Sequence, residues 1–212
     1  MFVWNETRAK KRFIPASTFK IANSLIGLDT GAVKDVDEVL PYGGKPQFRK
    51  EWEHDMGLRD AIKISNVPVY QELARRIKID RMREGVRKLR YGNMEIGAVV
   101  DRFWLDGPLA ISAVEQAEFL QRLTSESLPI KPEATRAVKE ITLLEKTEAY
   151  ELHAKTGWWV GSAPPHIGWW VGWIEREGKT YPFALNIDMS TGEEAPKRIS
   201  IGRECLKALG KL

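Results

Sequence analysis

The sequence lacks the features that define several common classes of protein. It has a single cysteine, Cys205, so no intrachain disulfide can form. No apolar run reaches the ~18 residues that favour a transmembrane helix. The first residues show no charged segment followed by an apolar one, so no signal peptide is expected. The three histidines, His54, His153 and His166, have no metal-ligand spacing, which predicts no metal site.

The sequence also has no long run of charges of one sign. The 33 Lys and Arg residues exceed the 29 Asp and Glu residues by only four, and they are spread along the chain. A nucleic-acid partner is therefore not expected. The 212 residues are enough for one large core or two interleaved subdomains. Cys205 stands at helical spacing with Leu206 and Leu209, which predicts that it packs in the core.

The middle of the chain has the apolar periodicity of helices. A capping box at Ser112 and Glu115 predicts a helix over 114–123, and Pro132 is typical of the first position of another helix. Three earlier segments repeat apolar residues at helical spacing, namely Leu58/Ile62, Val69/Leu73/Ile77 and Met82/Val86/Leu89. A helical block is expected here.

The two ends of the chain have the pattern of a sheet. Strands are predicted at 2–4, 148–155, 167–175 and 181–188, with a closing helix at 197–209. Both parities of 168–174 are apolar, so that strand should be covered on both faces. The expected fold class is α+β: an antiparallel sheet flanked by helices, with an inserted all-helical subdomain. A single domain is expected over 1–212, with a sheet subdomain at about 1–28 and 145–212 and a helical one at about 29–144.

The strongest chemical signal is a serine and a lysine at i and i+3. On a helix this spacing places Ser17 and Lys20 on one face, within reach of each other. Pro15 precedes the pair and a mostly apolar run, 21–28, follows it, which predicts a buried helix. Burial would disfavour the charged amine, so Lys20 could act as a base toward a Ser17 nucleophile. The alternative is an N-cap serine followed by a surface lysine.

Three further polar stretches lie at predicted element boundaries. They are Ser65-Asn-Val67, Tyr91-Gly-Asn93 and Lys155-Thr-Gly157. Each also has an ordinary interpretation, respectively a capped turn, a tight turn and the end of a strand. Gly157 could let a ligand or another backbone segment approach the strand closely.

In this order the four motifs resemble the serine-reactive, penicillin-recognising enzymes. Ser65-Asn-Val67, Tyr91-Gly-Asn93 and the following Phe103-Trp-Leu-Asp-Gly107 are most similar to the class D (oxacillinase-type) β-lactamases. The resemblance also includes Ile167-Gly-Trp-Trp-Val-Gly-Trp173 and extends from Phe2 to the C-terminus. It implies the β-lactamase/transpeptidase-like fold and hydrolysis of the β-lactam amide of penicillins through a serine acyl-enzyme. It also implies a periplasmic or secreted location.

The resemblance implies a role for each matching residue. Ser17 would be the nucleophile and Lys20 the base, carrying CO₂ as a carbamate, with no metal or other cofactor. Trp104 would hydrogen-bond the carbamate, and Ser65 would relay a proton to the leaving nitrogen. The backbone N–H groups of Ser17 and Trp158 would form the oxyanion hole. The expected substrate-binding residues are Val67, Tyr91, Asn93, Leu105, Lys155, Thr156, Gly157 and Arg198.

Two alternatives to hydrolysis stay open at this point. A β-lactam sensor domain would be acylated without turnover, and a penicillin-binding transpeptidase is a related option. Both generally have Asn where this sequence has Val67, which favours the enzyme. For Arg198 a surface position is the alternative to carboxylate binding. The segment before the nucleophile, Met1 to Ile14, is shorter than is usual in the family, and both a monomer and a homodimer stay open. The loop 158–166 would border the site.

Overall fold

The computed structural model describes residues 2–212 and has eight α-helices and one four-stranded sheet in that part of the chain. The helices are α1 (Glu6–Lys10), α2 (Lys20–Asp29), α3 (Leu58–Lys63), α4 (Val67–Ile77), α5 (Ile79–Leu89), α6 (Ala113–Thr124), α7 (Pro132–Thr142) and α8 (Lys197–Ala208). The strands are β1 (Leu143–Lys146), β2 (Glu151–Trp159), β3 (His166–Arg176) and β4 (Lys179–Met189). Short 3₁₀ turns lie at Ala16–Phe19, Lys50–Trp52 and Gly192–Glu194. None of the described helices is long and apolar enough to cross a membrane.

The sheet is antiparallel, with the strands in the order β1-β2-β3-β4. Successive side chains of β3 point to opposite faces, so Trp169 and Trp173 join the main core while Trp170 and Ile174 join a smaller cluster that includes Leu206 of α8. The prediction that this strand is covered on both faces is confirmed. The predicted fold class, an antiparallel sheet flanked by helices with an all-helical insertion, is confirmed as well.

The main core lies between the helices and one face of the sheet. Its buried side chains come from α2 through α7 and from β3. The helix α2 packs against α4, α5 and α7, and it is buried over most of its length. The serine-lysine motif at the start of this helix is therefore held at the boundary between helical layer and sheet.

One strand prediction is wrong, and one strand was not predicted. Residues 2–4 form no strand, and Phe2 and Trp4 are 70% and 85% exposed. The side chain of Asn5 caps α1, which begins directly after this segment. The fourth strand is instead β1, which follows α7 without a loop and has only four residues. Such a short strand has no periodicity that distinguishes it from the end of a helix.

The prediction that Cys205 packs in the core is also wrong, because this residue is exposed. The buried face of α8 carries Gly202 and Leu206, which are four residues apart. Cys205 is rotated by about 100° from Leu206 around the helix axis, which turns it toward solvent.

Candidate active site

Ser17 and Lys20 meet where a 3₁₀ turn continues into α2. Lys20 Nζ donates a hydrogen bond of 2.9 Å to Ser17 Oγ. The Lys20 side chain is fully buried, so the interpretation as a surface lysine is excluded. Burial, and next the charge of Lys155, lower the pKa of Lys20 well below its ordinary value. A neutral amine beside a serine hydroxyl can accept the proton that the serine must lose to become a nucleophile.

The aromatic ring of Tyr70 covers this amine. Lys20 Nζ lies 5.2 Å from the centre of the ring. The Tyr70 hydroxyl shares a hydrogen bond of 2.9 Å with Ser24 Oγ. The backbone carbonyl of Tyr70 accepts a hydrogen bond from Asn23 Nδ2. These contacts join α4 to α2 and keep water from the lysine. Sequence reasoning missed Tyr70, whose only signal is its place beside Val69 on the apolar side of α4.

Trp104 has a buried indole N–H with no hydrogen-bond partner among the described residues. Its ring stacks on Phe19, the neighbour of Lys20, with 5.5 Å between ring centres. An unpaired buried donor costs about 1–3 kcal/mol, so such a group calls for a partner that the protein atoms do not supply. The N–H could bind an acceptor group on Lys20.

Ser65 lies in the tight connection between α3 and α4. Its φ of 60° is in the left-handed region, which is uncommon for a residue with a side chain. The cap of α4 is Asn66, whose Oδ1 accepts a hydrogen bond from Val69 N. Ser65 therefore does not cap the helix, and its hydroxyl makes no hydrogen bond to another described residue. Val67 begins α4 and is half-buried.

The Tyr91 and Asn93 side chains have structural contacts in this fold. Tyr91 is fully buried, with its ring edge-on to Phe19 and Phe119. Asn93 Nδ2 donates to Pro108 O at 3.0 Å, and Asn93 Oδ1 accepts from Ala110 N at 3.0 Å and Glu95 N at 3.2 Å. These bonds hold the loop that carries Trp104 and the half-buried Leu105. Substrate contact by Tyr91 and Asn93 stays a prediction.

The strand β2 brings Lys155, Thr156, Gly157 and Trp158 to the same region. Lys155 is 5% exposed, and Lys155 Nζ donates to Thr156 O at 3.0 Å. Burial, and next the charge of Arg198, lower the pKa of Lys155 to about 7. A Cβ atom on Gly157 would lie 2.8 Å from Pro15 O, so glycine lets the strand pass this close to the serine turn.

Arg198, near the start of α8, points toward β2. Arg198 Nη1 donates to Gly157 O at 2.7 Å, and its buried Nε has no hydrogen-bond partner within residues 2–212. The structure therefore contradicts the alternative that Arg198 is a surface arginine. Basic side chains from α2, β2 and α8 thus lie near the part of β2 beside Ser17.

The histidines do not join this cluster. His153 is buried and stacks on Trp173 with 4.5 Å between ring centres, and His153 Nδ1 donates to Lys139 O. No group of three potential metal ligands occurs in residues 2–212.

The strand predicted to end at Lys155 continues to Trp159, so Lys155-Thr-Gly157 lies within β2 and is not a strand end. A serine hydrogen-bonded to a buried lysine, next to a strand that carries Lys-Thr-Gly, defines a serine acyl-transfer site. Residues 3–207 match the family model of the penicillin binding protein transpeptidase domain. The chain is 44% identical to β-lactamase OXA-5 of Pseudomonas aeruginosa over 208 residues, which are 97% of this chain and 78% of that protein. It is also 44% identical to β-lactamase OXA-48 of Klebsiella pneumoniae over 206 residues, 97% of this chain and 77% of that protein.

A solved structure agrees with these relatives. The class D β-lactamase FUS-1 (OXA-85) of Fusobacterium nucleatum subsp. polymorphum superimposes with a TM-score of 0.95 at 49% identity, covering 99% of this chain and 87% of that one. The chain belongs to the class D β-lactamase family.

Proposed function

We propose that this protein hydrolyses the amide bond of β-lactam antibiotics of the penicillin type through an acyl-enzyme on Ser17. The observation that carries the proposal is the hydrogen bond between the buried Lys20 amine and the Ser17 hydroxyl. Family membership supports the same reaction. A single catalytic domain over 1–212, with the sheet and helical subdomains divided near residues 28 and 145, belongs to this proposal.

In the acylation step Ser17 Oγ forms a bond to the lactam carbonyl carbon and gives its proton to the base at Lys20. The carbon–nitrogen bond breaks, and Ser65 passes a proton to the leaving nitrogen. The backbone N–H groups of Ser17 and Trp158 bind the negative oxygen of the tetrahedral intermediate, where the charge develops. In deacylation the same base takes a proton from water, the hydroxide attacks the ester carbon, and Ser17 Oγ regains its proton.

Carboxylation of Lys20 fits the residues present. CO₂ reacts only with a neutral amine, and burial favours that form of Lys20. The unpaired N–H of Trp104 offers the hydrogen bond that a carbamate oxygen would accept. A carbamate supplies a carboxylate-like base in place of the amine, and no metal is needed in the proposal.

The substrate carboxylate is proposed to bind Lys155, Thr156 and Arg198. Arg198 offers a planar fork that suits a carboxylate, and its Nε is buried without a partner. The remaining residues proposed to border the substrate are Val67, Tyr91, Asn93, Leu105 and Gly157. A periplasmic or secreted location, which the family resemblance implies, is part of the proposal, and both a monomer and a homodimer are compatible with it.

The first prediction is that the protein turns over a chromogenic penicillin many times per active site. Lys20→Ala should form at most one acyl-enzyme per molecule, because no base then activates water. Absorbance is followed with substrate in tenfold excess over protein. A wild-type reaction that stops at one equivalent would contradict hydrolysis and indicate a sensor. Glu204→Ala, on the exposed side of α8, is the control and should behave as wild type.

A further inference from the structure

We propose that Gln116 of α6 is a positioning residue that holds the nucleophile turn and thereby sets the rate at which Ser17 is acylated. The inference rests on the proposed function of Ser17 as the nucleophile. It concerns a residue that makes no contact with Ser17 itself and acts through Thr18.

Two buried hydrogen bonds in series link Gln116 to Pro15. Gln116 Nε2 donates to Thr18 Oγ1 at 2.8 Å, and Thr18 Oγ1 donates to Pro15 O at 2.8 Å. Both side chains are 1% exposed. The threonine hydroxyl has one proton, which it gives to Pro15, so it can only accept from the amide. The two hydrogen bonds therefore connect α6, through Thr18, to Pro15 at the start of the turn that carries Ser17.

The turn that these two hydrogen bonds hold has an unfavourable backbone conformation. Ala16, directly before Ser17, has a φ of 48°, which is in the left-handed region. Such a conformation costs of order 1–2 kcal/mol for a residue with a side chain and persists where its surroundings fix it. On the other side, Gly157 of β2 packs against Pro15 O. The turn is thus enclosed between β2 and the Gln116 side chain.

The first turn of α6 is itself fixed to the segment before Ser17. Ser112 and Glu115 form a capping box, and Glu115 also receives hydrogen bonds from Arg12. Phe13 and Ile111 form a backbone bridge with hydrogen bonds of 2.9 Å in both directions. Gln116 therefore projects from a helix end that cannot shift freely relative to residues 12–18, and its amide can fix Thr18 in place.

The Tyr91 hydroxyl lies in the same buried cluster as the amide. It is fully buried and faces Thr18 and Gln116 without a hydrogen bond of good geometry. A leucine at position 116 would remove the amide donor that fixes Thr18 in this cluster. The turn would then be free to relax, which would move Ser17 Oγ relative to Lys20.

The test is the Gln116→Leu variant, which removes the amide at similar volume. The acylation rate constant for benzylpenicillin, measured by quenched flow and mass spectrometry, should fall roughly ten- to a hundredfold, because small displacements of a reacting group cost rates of this size. The dissociation constant of the non-covalent complex should stay unchanged. Gln121→Leu, on the exposed side of the same helix, is the control and should retain the wild-type rate. A wild-type acylation rate in Gln116→Leu would overturn the proposal, as would an equal loss of non-covalent affinity.

Two further variants extend the test, and the first of them keeps it decisive if the leucine variant folds poorly. Gln116→Glu retains the shape, but an ionised carboxylate can only accept a hydrogen bond and would draw the Thr18 hydroxyl away from Pro15. Its acylation rate relative to wild type should rise as the pH falls and the carboxyl becomes a donor. Thr18→Val combined with Gln116→Leu should lose no more rate than Thr18→Val alone, since Gln116 acts only through the Thr18 hydroxyl. A pH-independent ratio in Gln116→Glu would overturn the proposal, as would additive losses of Thr18→Val and Gln116→Leu.

Binding of phenylboronic acid separates this inference from the proposed function. A boronic acid bonds to a serine Oγ without β-lactam chemistry, so its affinity reports the placement of Ser17. Gln116→Leu should weaken it about tenfold, which is about 1.4 kcal/mol. Wild-type protein that binds the boronic acid but is not acylated by penicillin would refute the proposed function, and the effect of Gln116→Leu on boronate affinity would still decide the inference. A wild-type protein that binds neither probe would overturn both.

Discussion

At the scale of single residues, the site is distinguished by lysines that are buried without a carboxylate partner. Lys20 and Lys155 are both at most 5% exposed, and Lys155 together with Arg198 adds positive charge to the same region. Each charge disfavours the next one, and burial disfavours them all. At Lys20 these two effects favour the neutral amine, which is the reactive form.

This burial predicts a pH dependence of stability. Lys155 has a pKa of about 7 in the folded protein and about 10.4 in the unfolded chain. Between these values the unfolded chain binds more protons than the folded protein, so the free energy of unfolding should rise with pH by up to about 1.4 kcal/mol per pH unit. Below the folded pKa both states are protonated and this contribution to the slope disappears.

Lys155→Met should remove the part of the slope that Lys155 contributes and leave the part due to the buried Lys20, because methionine fills a similar volume and does not titrate. Urea unfolding at pH 7, 8, 9 and 10 measures it. Parallel curves for wild type and variant across this range would mean that Lys155 is charged in the folded protein.

Trp104→Phe tests the partner proposed for the Lys20 carbamate. In degassed buffer at mildly acidic pH the hydrolysis rate should fall, and bicarbonate should restore it in the wild type. The variant should need roughly tenfold more bicarbonate or more, since a hydrogen bond to a charged group is worth about 1.5–3 kcal/mol. Trp173→Phe is the matched control, because that indole N–H donates to Glu175 instead. Equal bicarbonate dependence in wild type and Trp104→Phe would contradict the assignment.

Much of the residue-level arrangement could be predicted from the sequence. The i, i+3 spacing of Ser17 and Lys20, followed by an apolar run, predicts a buried amine beside a hydroxyl. For Arg198 only the family resemblance singled out the residue, because one turn of an amphipathic helix does not say which basic residue points inward. The sequence pattern did not identify Gln116 either, for a different reason. Its neighbours Ser112 and Glu115 account for the local pattern as a capping box, and the contact with Thr18 spans 98 positions.

At the scale of elements, close packing of α8 on the sheet places Arg198. Gly202 of α8 leaves no room for a side chain, since a Cβ atom there would lie 2.2 Å from a ring carbon of Trp170. The aromatic ring is itself buried in β3 and cannot move aside easily. The helix is therefore held at a distance that only glycine permits.

Gly202→Ala should push α8 away from β3. Overpacking of this kind costs typically about 1–3 kcal/mol, and each kcal/mol corresponds to a fall in Tm of about 2–4 °C in a chain of this size. Because Arg198 lies one turn earlier on the same helix, the KM for a penicillin should also rise. Calorimetry and steady-state kinetics measure the two effects. Ile201→Ala, at a position that is 42% exposed, is the control. A variant with unchanged Tm and KM would show that α8 does not fix Arg198.

Helices and strands could be predicted from the sequence where the apolar periodicity of their own residues defines them. The helices α3, α4 and α5 follow the apolar spacing of Leu58, Val69 and Met82 and their periodic neighbours. The strand expected at 2–4 failed because three apolar residues form a strand only beside a partner, which a local pattern does not reveal. The strand β1 was missed because it continues directly from α7.

At the scale of the whole molecule, the site lies where two layers meet. Of the proposed site residues, Ser17, Lys20, Ser65 and Trp104 belong to the helical layer, while Lys155 and Arg198 belong to the sheet and α8. The two layers share one large apolar core, which fixes their relative position. A serine on one layer can therefore be held against donors on the other, although the residues are far apart in the chain.

The assignment of Ser17 as the acylated residue can be tested by mass. Wild-type protein and Ser17→Ala are mixed with benzylpenicillin, and the intact mass and the modified peptide are followed with time. The wild type should gain the mass of one penicillin on the peptide that contains Ser17 and then lose it as more than one equivalent of product forms. Ser17→Ala should gain none, and the exposed-site variant Ser125→Ala should match the wild type. An adduct on Ser17→Ala, or a wild-type adduct at another residue, would contradict the proposed mechanism.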